Sequence, residues 1–210
     1  MGFGVELDRI LDRCSNLFAV QSRTARIDGR IPVRGYAGHT GRLDVVVRSM
    51  LASLLRRGNC FIGIIGDEPK EKVFIATGLP PRVSSERDLF LYLMKCREKK
   101  ECGSIHWVDL GSQYVFNKVF KRGFTFYYLS EEGEDYCSYE KNLKPHGNVF
   151  ILGSHVDVSP RFAGIIRGYS PRSISIGPVS MHTSHVIVYI STILERLERK
   201  LPICPKTGNP

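Results

Sequence analysis

The sequence predicts an α/β fold on a largely parallel sheet, and three observations lead there. Strand-length, β-branched apolar runs alternate with segments of helical apolar spacing. Two of the later runs end in glycine, one of them feeding straight into a helix. No internal repeat or low-complexity linker divides the 210 residues, so a single domain over 1–210 is expected. With 42% hydrophobic and 24% charged residues, the chain has material for a sizeable core, which excludes disordered and collagen-like classes.

A helix-like segment over residues 5–14 forms an N-terminal extension, taken as 1–16. Residues 17–34, LFAVQSRTARIDGRIPVR, read as a strand running into a loop that carries Arg23, Arg26, Arg30 and Arg34. From Arg42 onward, Leu43, Val46, Val47, Met50, Leu51 and Leu54 recur at the spacing of one buried helical stripe, with Thr40 placed to cap it. Residues 60–66 and 73–78 are strand-like, bounded by glycine or by DEPKEK, and pair most simply as neighbours. A helix over 85–100 has acids in its first turn and bases in its last, matching the helix dipole. A shorter one over 112–122 stops at Gly123. Then come a strand (124–130), an acidic turn EEGED, a strand (149–153), an Arg/Gly/Pro-rich connection, a strand (173–177) and a helix (184–200). The tail LPICPKTGNP has interior prolines and is expected to fray over 202–210.

Thirty Lys and Arg against 21 Asp and Glu leave a net charge of +9, which favours an anionic partner. The first 69 residues hold ten arginines and no lysine; arginine contacts phosphate bidentately and stacks on bases, so a nucleic acid is indicated alongside the plainer possibility of a solvated basic loop. No apolar run approaches a membrane span, the longest of interest being 186–194, and MGFGVELDRILDR has no apolar targeting core. A cytoplasmic protein without a membrane partner is expected. The six cysteines form no CxxC pair and are sparse for a disulfide scaffold, so reduced thiols are expected, with Cys96 and Cys102 as the pair that could bond.

Chemistry concentrates at two glycine-ended strands, ILGSH (151–155) and SIGPVSMHTSH (175–185), where backbone can approach a flat heterocycle beyond the strand ends. The alternative is that these glycines only make turns. His182 and His185 have a spacing metals use but no completing ligand, so no metal is expected and capping or packing suits them better. Gly35, Gly38 and Gly41 precede a helix without forming a nucleotide-binding fingerprint. Arg42 and Asp44, in that helix's first turn, form either a site presenting a cation and a carboxylate or a simple charge pair.

Four segments, GRLDVVVRS (41–49), FYYLSEEGED (126–135), FILGSH (150–155) and SISIGPVSMHTSH (173–185), together resemble, in order and spacing, the archaeal tRNA pseudouridine-54 N1-methyltransferases of the SPOUT superfamily. The resemblance implies a SPOUT-type Rossmann-like sheet with a C-terminal deep trefoil knot, a homodimer and a tRNA substrate. It also implies an S-adenosyl-L-methionine pocket built from Leu129, Gly153, Ile176, Gly177, Pro178, Val179, Ser180, Met181 and Val186. Val186 stands where the family often has cysteine, and Ser154 and Asp157 replace the family's usual residues after the glycine. Arg42 and Asp44 match an Arg-x-Asp shared with the related rRNA pseudouridine N1-methyltransferases, the nearest alternative function; a non-catalytic knotted RNA-binding module is the rival from another class. In the enzyme, Asp44 would accept the N1 proton or position the base, Arg42 would stabilise developing charge, and Arg23, Arg26 and Arg30 would hold RNA. The final helix carries Val186, Ile190, Ile193, Leu194, Leu197 and Leu201 with no later element to cover them, which points to the dimer interface.

Overall fold

The computed structural model describes residues 2–28, 31, 35–67, 69–99 and 101–204. Helix α1 (Gly2–Leu11) leads into β1 (Asn16–Ser22), then the short α2 (Tyr36–His39), α3 (Leu43–Leu54) and the hairpin β2 (Asn59–Ile65) and β3 (Lys72–Ala76). Next come α4 (Glu86–Lys99), β4 (Glu101–Cys102), β5 (Ile105–Val108), α5 (Ser112–Lys121) and β6 (Thr125–Asp135). A 3-10 turn (Tyr136–Tyr139), β7 (Asn148–Gly153), α6 (Pro160–Arg167), β8 (Arg172–Ser175) and α7 (Thr183–Glu198) complete the chain.

Among the described residues these strands form one sheet ordered β4-β5-β3-β2-β1-β7-β6-β8. The half running β2-β1-β7-β6-β8 is parallel throughout, while β3, β5 and β4 add antiparallel strands at one side. Central β1 is buried along its whole length, as a parallel strand covered on both faces must be. Its side chains alternate: Phe18 and Val20 enter a core with α3, α4 and α7, while Leu17 and Ala19 enter a second core with α1, α5 and α6. Leu7, Ile10 and Leu11 of α1 belong to that second core, and Asp8 and Asp12 dock the helix on α5 through Lys118 (2.9 Å) and Arg122 (2.6 Å).

The structure corrects several expectations. EEGED is no free turn: β6 continues through it, and a register shift between Leu129 and Glu134 against β8 absorbs the glycine-containing segment as a bulge. The Arg/Gly/Pro-rich connection contains α6, started by Ser159, whose Oγ accepts from Phe162 N at 3.0 Å, and anchored by Phe162 and Ile166. The expected fraying fails at 202–204: Arg196 donates to Pro202 O (2.8 and 2.6 Å), Ile203 N donates to Glu140 Oε1 (3.1 Å), and Ile203 is buried. Residues 205–210 lie outside the described residues.

The expectation of free thiols is also overturned, because all six cysteines pair: Cys14–Cys60, Cys96–Cys102 and Cys137–Cys204. Two of these pairs are 46 and 67 residues apart in sequence and meet only because the fold brings their Cα atoms to 5.4 and 5.7 Å. The final helix differs as well. Ile190, Ile193 and Leu194 are buried in the chain's own core with α3, and the large apolar residues left exposed are Val188 and Tyr189 on the helix and Leu201 just beyond it.

At the centre of the β2–β3 hairpin, Gly63 faces Phe74, and a Cβ there would fall 2.2 Å from the Phe74 ring. That ring is itself packed against Phe61 and Trp107 and cannot swing away. Gly63→Ala is therefore expected to destabilise the fold by about 1–3 kcal/mol as overpacking, read as a lower Tm in thermal melts; an unchanged Tm would show that this core yields freely.

Candidate active site

The parallel strands end on one edge of the molecule, where open α/β sheets bind ligands. Four segments meet there: the chain leaving β1, the corner leading into α3, the turn after β7 and the start of α7.

The corner is the most constrained piece. Gly41 (φ 57°) and Arg42 (φ 73°) are both left-handed, a conformation that costs a non-glycine residue roughly 1–2 kcal/mol. Gly41 is required there, since a Cβ would lie 1.9 Å from the Thr24 carbonyl oxygen. Several hydrogen bonds hold the corner: Thr24 Oγ1 donates to Gly41 O (2.7 Å), Arg26 N to Thr40 O (2.8 Å), and Leu43 N to Thr40 Oγ1 (3.3 Å). Thr40 thus satisfies the first helical N–H as expected, but from two residues upstream of Arg42, which itself occupies the N-cap in a left-handed conformation. Strain maintained by so many contacts is characteristic of functional positions.

Arg42 emerges from the corner and turns back on Asp44. Its Nε and Nη2 donate to Oδ1 (3.0 Å) and Oδ2 (3.2 Å), a bidentate pair that holds the guanidinium firmly protonated. Asp44 is 7% exposed in its side chain and Arg42 47%, so the carboxylate lies inside and the cation faces out. Arg48, one turn along α3, approaches Asp44 Oδ2 at 3.6 Å and is itself held by Glu86 at the start of α4 (2.9 Å).

On the other side, the turn after β7 closes tightly on itself. A Cβ on Gly153 would lie 2.3 Å from Val156 O, so this glycine serves its own turn. The first residue of α7, Thr183, shares its one hydroxyl hydrogen between the carbonyls of Gly153 and Ser154 and locks the turn to the last helix. His182 sits at the N-cap with its ring 5.5 Å from that of His185, and among the described residues no group of three potential metal ligands forms.

The expected cofactor residues frame the same edge. Leu129, Ile176 and Val186, from β6, the segment after β8 and the first turn of α7, are half-buried on one apolar cluster. Between them, Ser175 Oγ donates to Gly177 O (2.9 Å) and accepts from Gly177 N (3.3 Å), turning the loop so that Pro178, Val179, Ser180 and Met181 stand exposed. A half-buried apolar floor beside exposed backbone suits an adenosyl group, which needs apolar contact on its faces and hydrogen bonds at its edges. Arg23 and Arg26 are exposed on the chain leaving β1, with Ala25 and Ile27 buried between and after them; Arg30 lies outside the described residues.

The match to known proteins is extensive. Residues 15–199 fit the family model described as "Putative SAM-dependent RNA methyltransferase". The chain belongs to this family. A relative from Aeropyrum pernix, a tRNA (pseudouridine(54)-N(1))-methyltransferase, is 30% identical over 188 residues, covering 85% of this chain and 93% of its own. A protein of the same name from Methanococcus aeolicus is 25% identical over 203 residues, covering 87% and 98%. Among solved structures, Archaeoglobus fulgidus Nep1 bound to S-adenosylhomocysteine has this fold, with a TM-score of 0.59, 16% identity, and coverage of 88% of this chain and 99% of that one.

Sequence reasoning placed Arg42, Asp44 and the two glycine-ended segments at one site, and the structure brings their elements to the same edge. Thr24, Ser22 and Arg48, which hold those segments together, were not singled out. Each lies within or beside a segment already noted, but Thr24 and Ser22 meet residues from elsewhere in the chain, and Arg48 joins Asp44 on its own helix to Glu86 on α4.

Next to the expected cofactor loop is a groove of about 650 Å³ lined by Tyr136, Met181, His185, Val188, Tyr189 and Arg196, among others. Tyr189 OH donates to Tyr136 OH at 2.9 Å. Burial and that contact push the Tyr136 phenol up to about 12. A folded value above the unfolded value of about 10 means that the stabilisation is complete below pH 10 and is lost as pH rises towards 12. Tyr127, Tyr128, Tyr139 and Tyr169 are also held above the ordinary phenol value, so spectrophotometric titration is expected to show a late-ionising group of phenols whose component from Tyr136 moves down in Tyr189→Phe; an unchanged late component would remove the contact's influence.

Proposed function

We propose that this protein transfers a methyl group from S-adenosyl-L-methionine to N1 of pseudouridine 54 in the T arm of tRNA, in the cytoplasm and as a homodimer. The observation that carries the reading is the strained Arg42 corner, which leaves a guanidinium facing out and is joined through Thr24 and His155 to the turn after β7. The curated relatives named for this reaction, matched over nearly their whole length, supply the substrate.

Pseudouridine is joined to ribose through carbon, which leaves N1 as a weakly acidic N–H that becomes nucleophilic when it loses its proton. The bound cofactor supplies an electrophilic methyl on its sulfonium. Leu129, Gly153, Ile176, Gly177, Pro178, Val179, Ser180, Met181 and Val186 would hold it, the apolar side chains against the adenosyl faces and the loop backbone at its edges. Arg42 stabilises the charge that develops on the base, and Asp44 holds its guanidinium in place. With both carboxylate oxygens engaged, positioning is the role of Asp44 that the ion pairs favour over proton acceptance. Most of the rate then comes from alignment.

Arg23 and Arg26, exposed on the strand-end loop, provide phosphate contacts for RNA, with Arg30 further along the sequence as a third candidate. The deep trefoil knot belongs to this reading too. Its support is the return of the chain from edge strand β8 to the middle of the sheet, where Thr183 bonds the β7 turn. The dimer finds support in the exposed Val188 (46%), Tyr189 (38%) and Met181 (39%) around the groove on α7.

Two measurements test this. Asp44→Asn is expected to lower methyl transfer to pseudouridine-containing T-arm RNA by about 10²-fold with cofactor affinity little changed. The pH–rate profile of the residual activity keeps its shape if Asp44 positions Arg42 and loses its acidic limb if Asp44 takes the proton; full activity would remove both roles. Light scattering is expected to give twice the 23.7 kDa chain mass and a shift towards monomer in Val188→Glu; a monomeric wild type would overturn the dimer.

A further inference from the structure

The side chain of His155 touches both walls of the site. It follows Ser154 on the turn after β7, and its two ring nitrogens face opposite ways. Nδ1 lies 3.2 Å from Ser154 Oγ, which donates to Ser22 Oγ (3.2 Å) at the end of β1. Nε2 lies 3.4 Å from Thr24 Oγ1.

The proton inventory fixes the direction of this second contact. A threonine hydroxyl has one hydrogen, and that of Thr24 is committed to Gly41 O at 2.7 Å. Towards His155 the Thr24 oxygen can therefore only accept, so the contact is a hydrogen bond when Nε2 carries the proton. At Nδ1 the Ser154 hydroxyl accepts from a protonated ring while its own hydrogen goes to Ser22, and donates to a neutral ring when the Ser22 hydroxyl turns to donate to Ser154, so the ring holds its orientation in either state. The result is a relay with a defined direction: His155 Nε2–H to Thr24 Oγ1–H to the Gly41 carbonyl, the residue before Arg42. The His155 contact is the longest link, and it is the one that substrate binding would tighten.

We infer that His155 is a positioning residue of the transfer step, tying the β7 turn on the cofactor side to the left-handed corner that aims Arg42. This rests on the methyltransferase reading above and adds to it. The turn itself is held independently by Thr183, and the ring is exposed, so loss of the imidazole leaves the fold and the cofactor site in place. What it removes is one of the restraints on a backbone corner that would otherwise relax.

The test is a double-mutant cycle on purified full-length protein, using pseudouridine-containing T-arm RNA. His155→Ala is expected to lower kcat about five- to tenfold, the scale of one neutral hydrogen bond, with the KM for RNA and the Kd for S-adenosylmethionine within about twofold of wild type. His155→Gln, which can present an amide N–H towards Thr24, is expected to recover most of the loss. Thr24→Val breaks the same relay, and the double variant is expected to be no worse than the more impaired single one. An unchanged kcat in His155→Ala, additive losses, or a matching loss of cofactor affinity would each overturn the inference. Nitrogen-15 NMR of the imidazole gives a readout independent of activity: the neutral ring is expected as the Nε2–H tautomer, and the Nδ1–H tautomer would refute the relay. Wild-type protein that binds cofactor but transfers no methyl group would instead refute the proposed function, while the tautomer would still report on the relay.

Discussion

The approach of the Thr24 carbonyl to Gly41 is the constraint on which the rest of the site depends. No side chain fits at residue 41, so the loop leaving β1 and the chain entering α3 lie in direct backbone contact. That contact forces two consecutive left-handed residues, and the second is an arginine. The strain is sustained because both neighbouring segments are anchored elsewhere: β1 is the buried centre of the sheet, and α3 packs against α7. A small displacement of either segment would redirect Arg42, whose position relative to a bound base sets how well it stabilises charge.

Asp44 and its neighbours illustrate how a cluster of charges can be arranged for direction. A single surface ion pair contributes little, but a bidentate Arg–carboxylate pair in which the acid is buried has a defined geometry. Here the buried partner of Arg42 also meets Arg48, and Arg48 is held by Glu86, so the alternating charges continue from α3 to α4. The exposed cation at the end of this series is thereby restricted in the directions it can point.

The parallel half of the sheet brings the same economy to the cofactor side. Because β1, β7, β6 and β8 run the same way, the segments after them emerge together, and the start of α7 closes the edge by bonding to the β7 turn. The antiparallel strands β3, β5 and β4 lie on the other side of β2, away from this edge, and extend the core. The C-terminal segment is folded onto α7 and the 3-10 turn, and it forms one wall of the groove proposed for the second subunit.

Apolar spacing in the sequence was enough to determine α3, α4, α5, α7 and the strands β1, β2, β3 and β7 to within a few residues, because each buries a face whose period is set by its own backbone geometry. It also marked the segments that carry chemistry, Arg42 and Asp44 among them, but residues two apart do not face each other on a regular helix, and their pairing depends on the left-handed backbone of Arg42. Short or bulged elements were another matter. Strand β5 has four residues, and β6 crosses a glycine and four acids by a register shift that depends on its partner β8. The cysteine pairs across 46 and 67 residues, the burial of Ile190 and Ile193 under α3, and the contacts of His155 with Thr24 and of Ser154 with Ser22 join segments distant in sequence. Periodicity says which face of an element is apolar, but what that face or a polar side chain meets is decided only when the sheet order places one strand beside another.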